Sequence, residues 1–206
     1  MSFQLWLAFV AAASVLLMIP GPTILLVVSY SLTQGRRVAL AMALGVALGD
    51  FIAMTTSLLG LGALVLASAE LFTVLKWIGA VYLVWLGVKL LRARPQSPEV
   101  EDPAPKEARA IFAHAATVTA LNPKSIAFFI AFVPQFIHLG QPLALQFATL
   151  IVTFVSLATL NALFYALLAD RLRSRIRSPR VLRAMNRTGG GALIGMGLMT
   201  AALSRS

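Results

Sequence analysis

The sequence predicts an all-α integral membrane protein with six transmembrane helices. They are arranged as two inverted three-helix repeats, and the first helix of each half is interrupted. Three observations predict this class: an extreme composition, six long apolar segments, and basic residues sorted into alternate gaps. The chain has 206 residues, 59% of them hydrophobic and only 12% charged. Its mean hydropathy is +0.88. A water-borne domain is about 45–50% apolar and about 25% charged, because its surface needs polar cover. At about 20 apolar residues per span, six spans use roughly 120 residues, which matches the apolar fraction. A soluble enzyme, a disordered chain and a disulfide scaffold are therefore excluded as classes. The absence of cysteine removes thiol chemistry and thiolate metal sites.

The apolar segments run roughly Leu5–Tyr30, Val38–Ala67, Leu71–Leu91, Ile111–Ile137, Leu143–Leu168 and Thr188–Leu203. Backbone groups in hydrocarbon must bond within their own segment, so each reads as helix. No ten-residue alternation suggests a barrel. The last segment is short, and a five-span reading stands beside the six-span one. Met1 to Gln4 carries no positive residue and the apolar run continues past it, so no cleavable signal is expected.

The formal charge of +10 could suggest nucleic acid, but the basic residues lie in short gaps, which makes topology the better account. Arg36 and Arg37 follow segment one. Lys89, Arg92, Arg94, Lys106 and Arg109 surround the gap after segment three. Arg171, Arg173, Arg175, Arg177, Arg180, Arg183 and Arg187 fill the gap after segment five. The gap after segment two holds only Glu70, and the gap after segment four holds no charge. Basic loops stay cytoplasmic, so both termini are expected outside.

Residues 93–110 contain Pro95, Pro98, Pro103 and Pro105 among acids and read as a linker. The chain is then one transmembrane domain: a first repeat over 1–92, the linker, and a second repeat over 111–206. Three spans per half forces opposite orientations, the arithmetic of an inverted repeat. Two echoes support it. Pro20-Gly21-Pro22 interrupts the first helix of one half and Asn122-Pro123 that of the other. Gly79 and Gly87 are spaced like Gly189 and Gly197.

Each proline of Pro20-Gly21-Pro22 removes an amide and blocks a carbonyl one turn back. Such a break frees backbone groups near mid-membrane, tolerable only beside protein or a water-filled cavity. The half-helix starting near Pro22 aims its positive end there and can hold a carboxylate. A plain proline kink is the alternative. In the second half, Asn122 can cap a half-helix starting at Pro123. Lys124 then lies about 17–20 Å into segment four at 1.5 Å per residue. Burying that cation costs about 2.5–3.5 kcal/mol. Gln135, three turns on, is expected on the Lys124 face with Ala127, Phe128 and Ala131. The alternative is a lysine snorkelling to the interface.

Asp50 is the one acid deep within a span. It shares a face with Ala43, Ala47, Ala53, Met54 and Ser57, while Leu44, Leu48, Phe51, Leu58 and Leu59 take the other side. Gly45 and Gly49 allow close backbone approach. Burial disfavours the charged carboxylate and a nearby cation favours it, so Asp50 can exchange a proton as a site opens and closes. A static Asp50–Lys124 ion pair is the structural alternative. Asn161 and Tyr165 read as bonds across helices ahead of a vestibule lining. His114 and His138 read as interfacial, and Trp77, Tyr82 and Trp85 as packing or interface anchors. The arginine run can also attract anionic lipid.

No HExxH, GxSxG or P-loop pattern occurs, and acids are too few for a carboxylate metal site. No enzyme activity, metal or cofactor is expected. A secondary transporter or a channel remains.

The motifs together resemble the LysE/RhtB family of bacterial amino-acid exporters. The matching stretches are Ile19-Pro20-Gly21-Pro22, Gly45 to Asp50, Gly79 to Gly87, Leu121-Asn122-Pro123-Lys124, Phe128-Phe129 and Pro134-Gln135-Phe136. The resemblance implies a multi-pass exporter in the cytoplasmic (inner) membrane, driven by a proton or ion gradient and dimeric. The threonine/homoserine/leucine efflux branch looks nearest. On that reading the half-helix ends and Lys124 hold the substrate carboxylate. Asp50 pairs with the substrate ammonium or with a proton, never both, which is what antiport requires. Export of another small solute, or a non-transporting scaffold or channel, are the alternatives.

Overall fold

The structure, a computed structural model, describes residues 1–19, 21–93, 107–138, 141–169 and 179–202. Pro20, most of the expected linker, and Arg94, Lys106, Arg171, Arg173, Arg175 and Arg177 lie outside the described residues. Among the described residues, all regular structure is helical. The helices are α1 (Phe3–Met18), α2 (Pro22–Gln34), α3 (Ala39–Ala67), α4 (Ala69–Arg92), α5 (Ala108–Ala120), α6 (Pro123–Ala131), α7 (Leu143–Leu167) and α8 (Pro179–Ala202). Single 3-10 turns at Gly35–Val38 and Val133–Phe136 follow α2 and α6.

Three described stretches are long and apolar enough to cross a membrane: Pro22–Ala63, Thr73–Arg92 and Leu143–Leu167. The first sequence segment is divided between α1 and α2, and the fourth between α5 and α6, so neither presents one unbroken helix. α8 is not short: it begins at Pro179, ahead of the expected start at Thr188, and runs for 24 residues. Arg183, Asn186 and Arg187 in its first half hid that start from the hydropathy pattern.

The breaks follow from backbone chemistry. Pro20 and Pro22 have no amide, so the carbonyls of Leu16 and Met18 lose their partners one turn on. Ile19 and Gly21 take extended conformations, and Pro22 opens α2 at a position where its missing amide costs nothing. In the second half Asn122 is extended, and its side chain accepts from the Lys124 amide at 3.1 Å. At the far end of α2 the chain turns through Gly35, whose φ of 71° suits glycine.

Helix α3 is central, packed on α5, α6 and α7; α4 packs along α8 and on α6, while α1 and α2 lie against α7. The α3–α5 crossing is close because Gly45 and Gly49 lack side chains. A Cβ on Gly45 would stand 2.5 Å from the Phe112 carbonyl oxygen, and one on Gly49 2.5 Å from that of Ala116. Gly87 and Gly190 meet in the same way between α4 and α8. Phe9, Phe128, Phe129, Phe132, Phe136 and Phe154 join α1, α6 and α7 in one aromatic core, with Phe129 and Phe154 edge to face at 4.8 Å. Leu44, Leu48, Phe51 and Leu59 are exposed, as a lipid-facing side requires. Leu58 corrects the face assignment, since it is fully buried. Eight residues at 100° each bring it only about 80° from Asp50, nearer to that face than to the opposite one.

Candidate functional site

The two breaks and the middle of α3 meet at one small cavity. Its polar wall is Thr23, Asp50, Asn122, Lys124, Ser125 and Asn161, and its apolar wall is Leu17, Gly21, Ile24, Val46 and Ala158. The space open to the centre of a water molecule is about 20 Å³. That is room for about one water, so this conformation is closed.

The side chains are arranged around the free backbone of the first break. The Lys124 ammonium donates to the Leu16 carbonyl at 3.0 Å and to the Ile19 carbonyl at 2.7 Å. Asn161, from α7, donates to the Leu17 carbonyl at 3.2 Å. Two side chains of the second half thus donate to three carbonyls at the end of α1, where the helix dipole is negative; the Leu16 carbonyl also accepts from the Ile19 amide at 3.2 Å. The second break holds itself and reaches back. Asn122 Nδ2 donates to Thr23 Oγ1 at 3.2 Å, and Thr119 Oγ1 donates to the same atom at 3.3 Å. Gly21 packs on the lysine: a Cβ there would lie 3.4 Å from Nζ. No side chain caps the start of α2.

Asp50 is buried at 3% exposure and faces the cavity. Among the described residues no cation comes within 4 Å of its carboxylate. The static ion pair is therefore not the arrangement seen: anion and cation share a cavity, and the cation binds backbone carbonyls instead.

Of the sequence-derived site residues, Gly21, Asp50, Asn122 and Lys124 come together here, and Pro22 and Pro123 begin the helices beside them. Pro20 lies outside the described residues. Gln135 is not brought to the cavity; its Nε2 donates to Thr200 Oγ1 on α8. Helix α6 ends at Ala131 and Gln135 sits in the 3-10 turn beyond, so the helical spacing from Lys124 does not continue to it. Asn161 does both things weighed for it, bonding across helices and lining the cavity; Tyr165 is not among the lining residues. Thr23 and Ser125 were missed. Their signal was position, since each stands within three residues of a helix start at a break. His114 is exposed, with Nδ1 3.0 Å from the buried Tyr30 hydroxyl, and His138 is exposed too.

Residues 14–203 match the family model described as LysE type translocator. The chain is 34% identical over 201 residues to an "Uncharacterized membrane protein" of Vibrio cholerae, covering 98% of each chain. It is 33% identical over 202 residues to the "Homoserine/homoserine lactone efflux protein" of Salmonella typhimurium, again covering 98% of each. A "Leucine efflux protein" of Klebsiella pneumoniae is 32% identical over 136 residues, which cover 66% of this chain and 64% of the relative. No solved structure matches the chain.

Proposed function

Since the chain belongs to the LysE family of membrane translocators, we propose that it exports amino acids from the cytoplasm across the bacterial cytoplasmic membrane. Small neutral ones related to homoserine, threonine or leucine are the preferred class. Relatives named for homoserine and leucine efflux support that class. One observation carries the reading: a single closed cavity at two helix breaks holds one anion, Asp50, and one cation, Lys124, with no direct pair between them.

A zwitterion needs that pair of charges separated. The uncapped start of α2 beside Lys124 offers positive potential to a carboxylate. Asp50 offers a partner to an ammonium or holds a proton, and cannot do both at once, which couples the two. Alternate exposure follows from the two halves rocking about the cavity, with basic loops on the cytoplasmic side.

Purified protein reconstituted into vesicles tests this. Vesicles loaded with radiolabelled homoserine, threonine, leucine or lysine are given a proton gradient, and amino-acid and proton flux are followed together. Efflux of a neutral amino acid above that of empty vesicles, with counter-movement of protons, is expected. Asp50→Asn should lose the gradient-driven part, and Asp50→Glu should keep some of it. If no amino acid moves, export is refuted; if Asp50→Asn keeps the normal rate and pH dependence, the coupling role is refuted.

A further inference from the structure

We propose that the carbonyl cluster ending α1 is a primary-ammonium subsite, and that the Lys124 side chain is its resident occupant while the transporter is empty and closed. The inference rests on the export reading and adds where the substrate's positive end goes. Sequence reasoning alone sends Lys124 to the substrate carboxylate and the ammonium to Asp50. The geometry adds backbone carbonyls as the ammonium's hydrogen-bond acceptors, with Asp50 as the opposite charge lining the same cavity.

Pro20 has no amide to offer the Leu16 carbonyl, which accepts from the Ile19 amide at 3.2 Å and keeps its second lone pair for a ligand; Ile19 itself is extended, out of the helix. Both oxygens accept from Lys124 Nζ, at 3.0 and 2.7 Å. They lie at the negative end of a 16-residue helix. An ammonium is thus already seen bound there, which a helix end alone would not establish. It binds there although a buried carboxylate, Asp50, lines the same cavity. Gly21 lies against the ammonium: a Cβ there would make van der Waals contact with Nζ and Cε at 3.4 and 3.5 Å. With Lys124 in place the remaining space is about 20 Å³, far too small for an amino acid. The α-ammonium of a substrate presents the same three-donor head as lysine. Once it takes the carbonyls, the displaced Lys124 is free to meet the carboxylate of the same molecule. Neither charge of the zwitterion is then left alone in hydrocarbon, and the empty site closes on its own cation.

The test uses the intact chain in detergent with propylammonium chloride as probe, against equal sodium chloride and propanol. A subsite left free in one molecule of ten binds a competing cation about tenfold more weakly. Lys124→Met should therefore lower the propylammonium concentration giving half-maximal thermal stabilisation by about tenfold or more, while Lys124→Arg, which keeps a cation, should stay near the wild type. Equal half-maximal concentrations for Lys124→Met and wild type overturn the proposal. The wild type gives a second readout that needs no folded methionine variant. The chain has four lysines, so ¹⁵Nζ lysine resonances are few, and Lys124→Arg identifies the relevant one. That resonance should move on saturation with propylammonium; a resonance that stays put overturns the proposal. Neither readout requires transport. A chain that shows both and moves no amino acid refutes export alone, and a working exporter that shows neither refutes the subsite alone.

Discussion

Replacing Gly49 with alanine drives the first side-chain carbon of α3 into the backbone of α5. The added Cβ would stand 2.5 Å from the Ala116 carbonyl oxygen, 2.6 Å from Thr119 Cβ and 2.9 Å from the Ala120 nitrogen. Carbon contacts settle at about 3.5–4.0 Å, so the two helices must part by about 1 Å. No flexible side-chain tip is available to yield, because two of the three atoms are backbone. Overpacking of this kind costs about 1–3 kcal/mol. The helix propensity of alanine offsets about 0.8–1 kcal/mol of this, so the net loss is up to about 2 kcal/mol. Gly60 provides the control, since it lies on the same helix and a Cβ there meets nothing within 4 Å. Gly60→Ala should gain about 0.8–1 kcal/mol from helix propensity alone. At about 2–4 °C per kcal/mol for a chain of this size, thermal unfolding in one detergent should fall by up to about 8 °C for Gly49→Ala. It should rise by about 2–4 °C for Gly60→Ala. A Gly49→Ala protein melting at or above the Gly60→Ala protein would refute the close α3–α5 contact.

Two further substitutions probe the site's framework. Asn122→Ala loses the cap on the Lys124 amide and the bond to Thr23, and should cost about 1–3 kcal/mol by thermal unfolding; Asn122→Asp keeps the cap and should recover part of the loss. Gln146, buried at 3% exposure, accepts from the His138 amide and donates to the carbonyls of His138, Gln141 and Pro142. Gln146→Leu should therefore speed hydrogen exchange at the His138 amide at least tenfold, while leaving the substrate concentration for half-maximal export unchanged.

The sequence announced the breaks because proline chemistry is local: a missing amide is missing in any fold. It announced Asp50's inward face because helical periodicity is local too. It did not announce what Lys124 touches. The partners are carbonyls of residues 16 and 19, more than a hundred positions away, and a carbonyl leaves no mark in a sequence. Asn161 was legible as a polar residue in an apolar helix, but its acceptor at Leu17 became definite only when α7 was laid against α1. Gln135 failed for the opposite reason. The eleven-residue spacing was extrapolated through a helix that stops at Ala131, and one 3-10 turn sufficed to send the side chain to Thr200 on α8.

The inverted-repeat reading meets a mixed packing pattern, since exchanging halves turns the α4–α6 contact into α8–α2, which is not among the packed pairs of the described residues. Exchanging halves swaps α3 with α7 and α4 with α8, and those are two of the pairs in contact; it also swaps the α3–α5 contact for α7–α1, and both are present. Thr23 and Lys124 are each the second residue of the helix after a break, and Asp50 and Asn161 come from the exchanged helices α3 and α7. In each pair one member is charged and the other neutral. The bracing is one-sided. Lys124 and Asn161 reach from the second half to the carbonyls of the first break, whereas the second break is capped by its own Asn122. The carbonyls of the first break are thus bound by side chains of the other half, whereas Asn122 and Thr119 tie the second break to the first through Thr23.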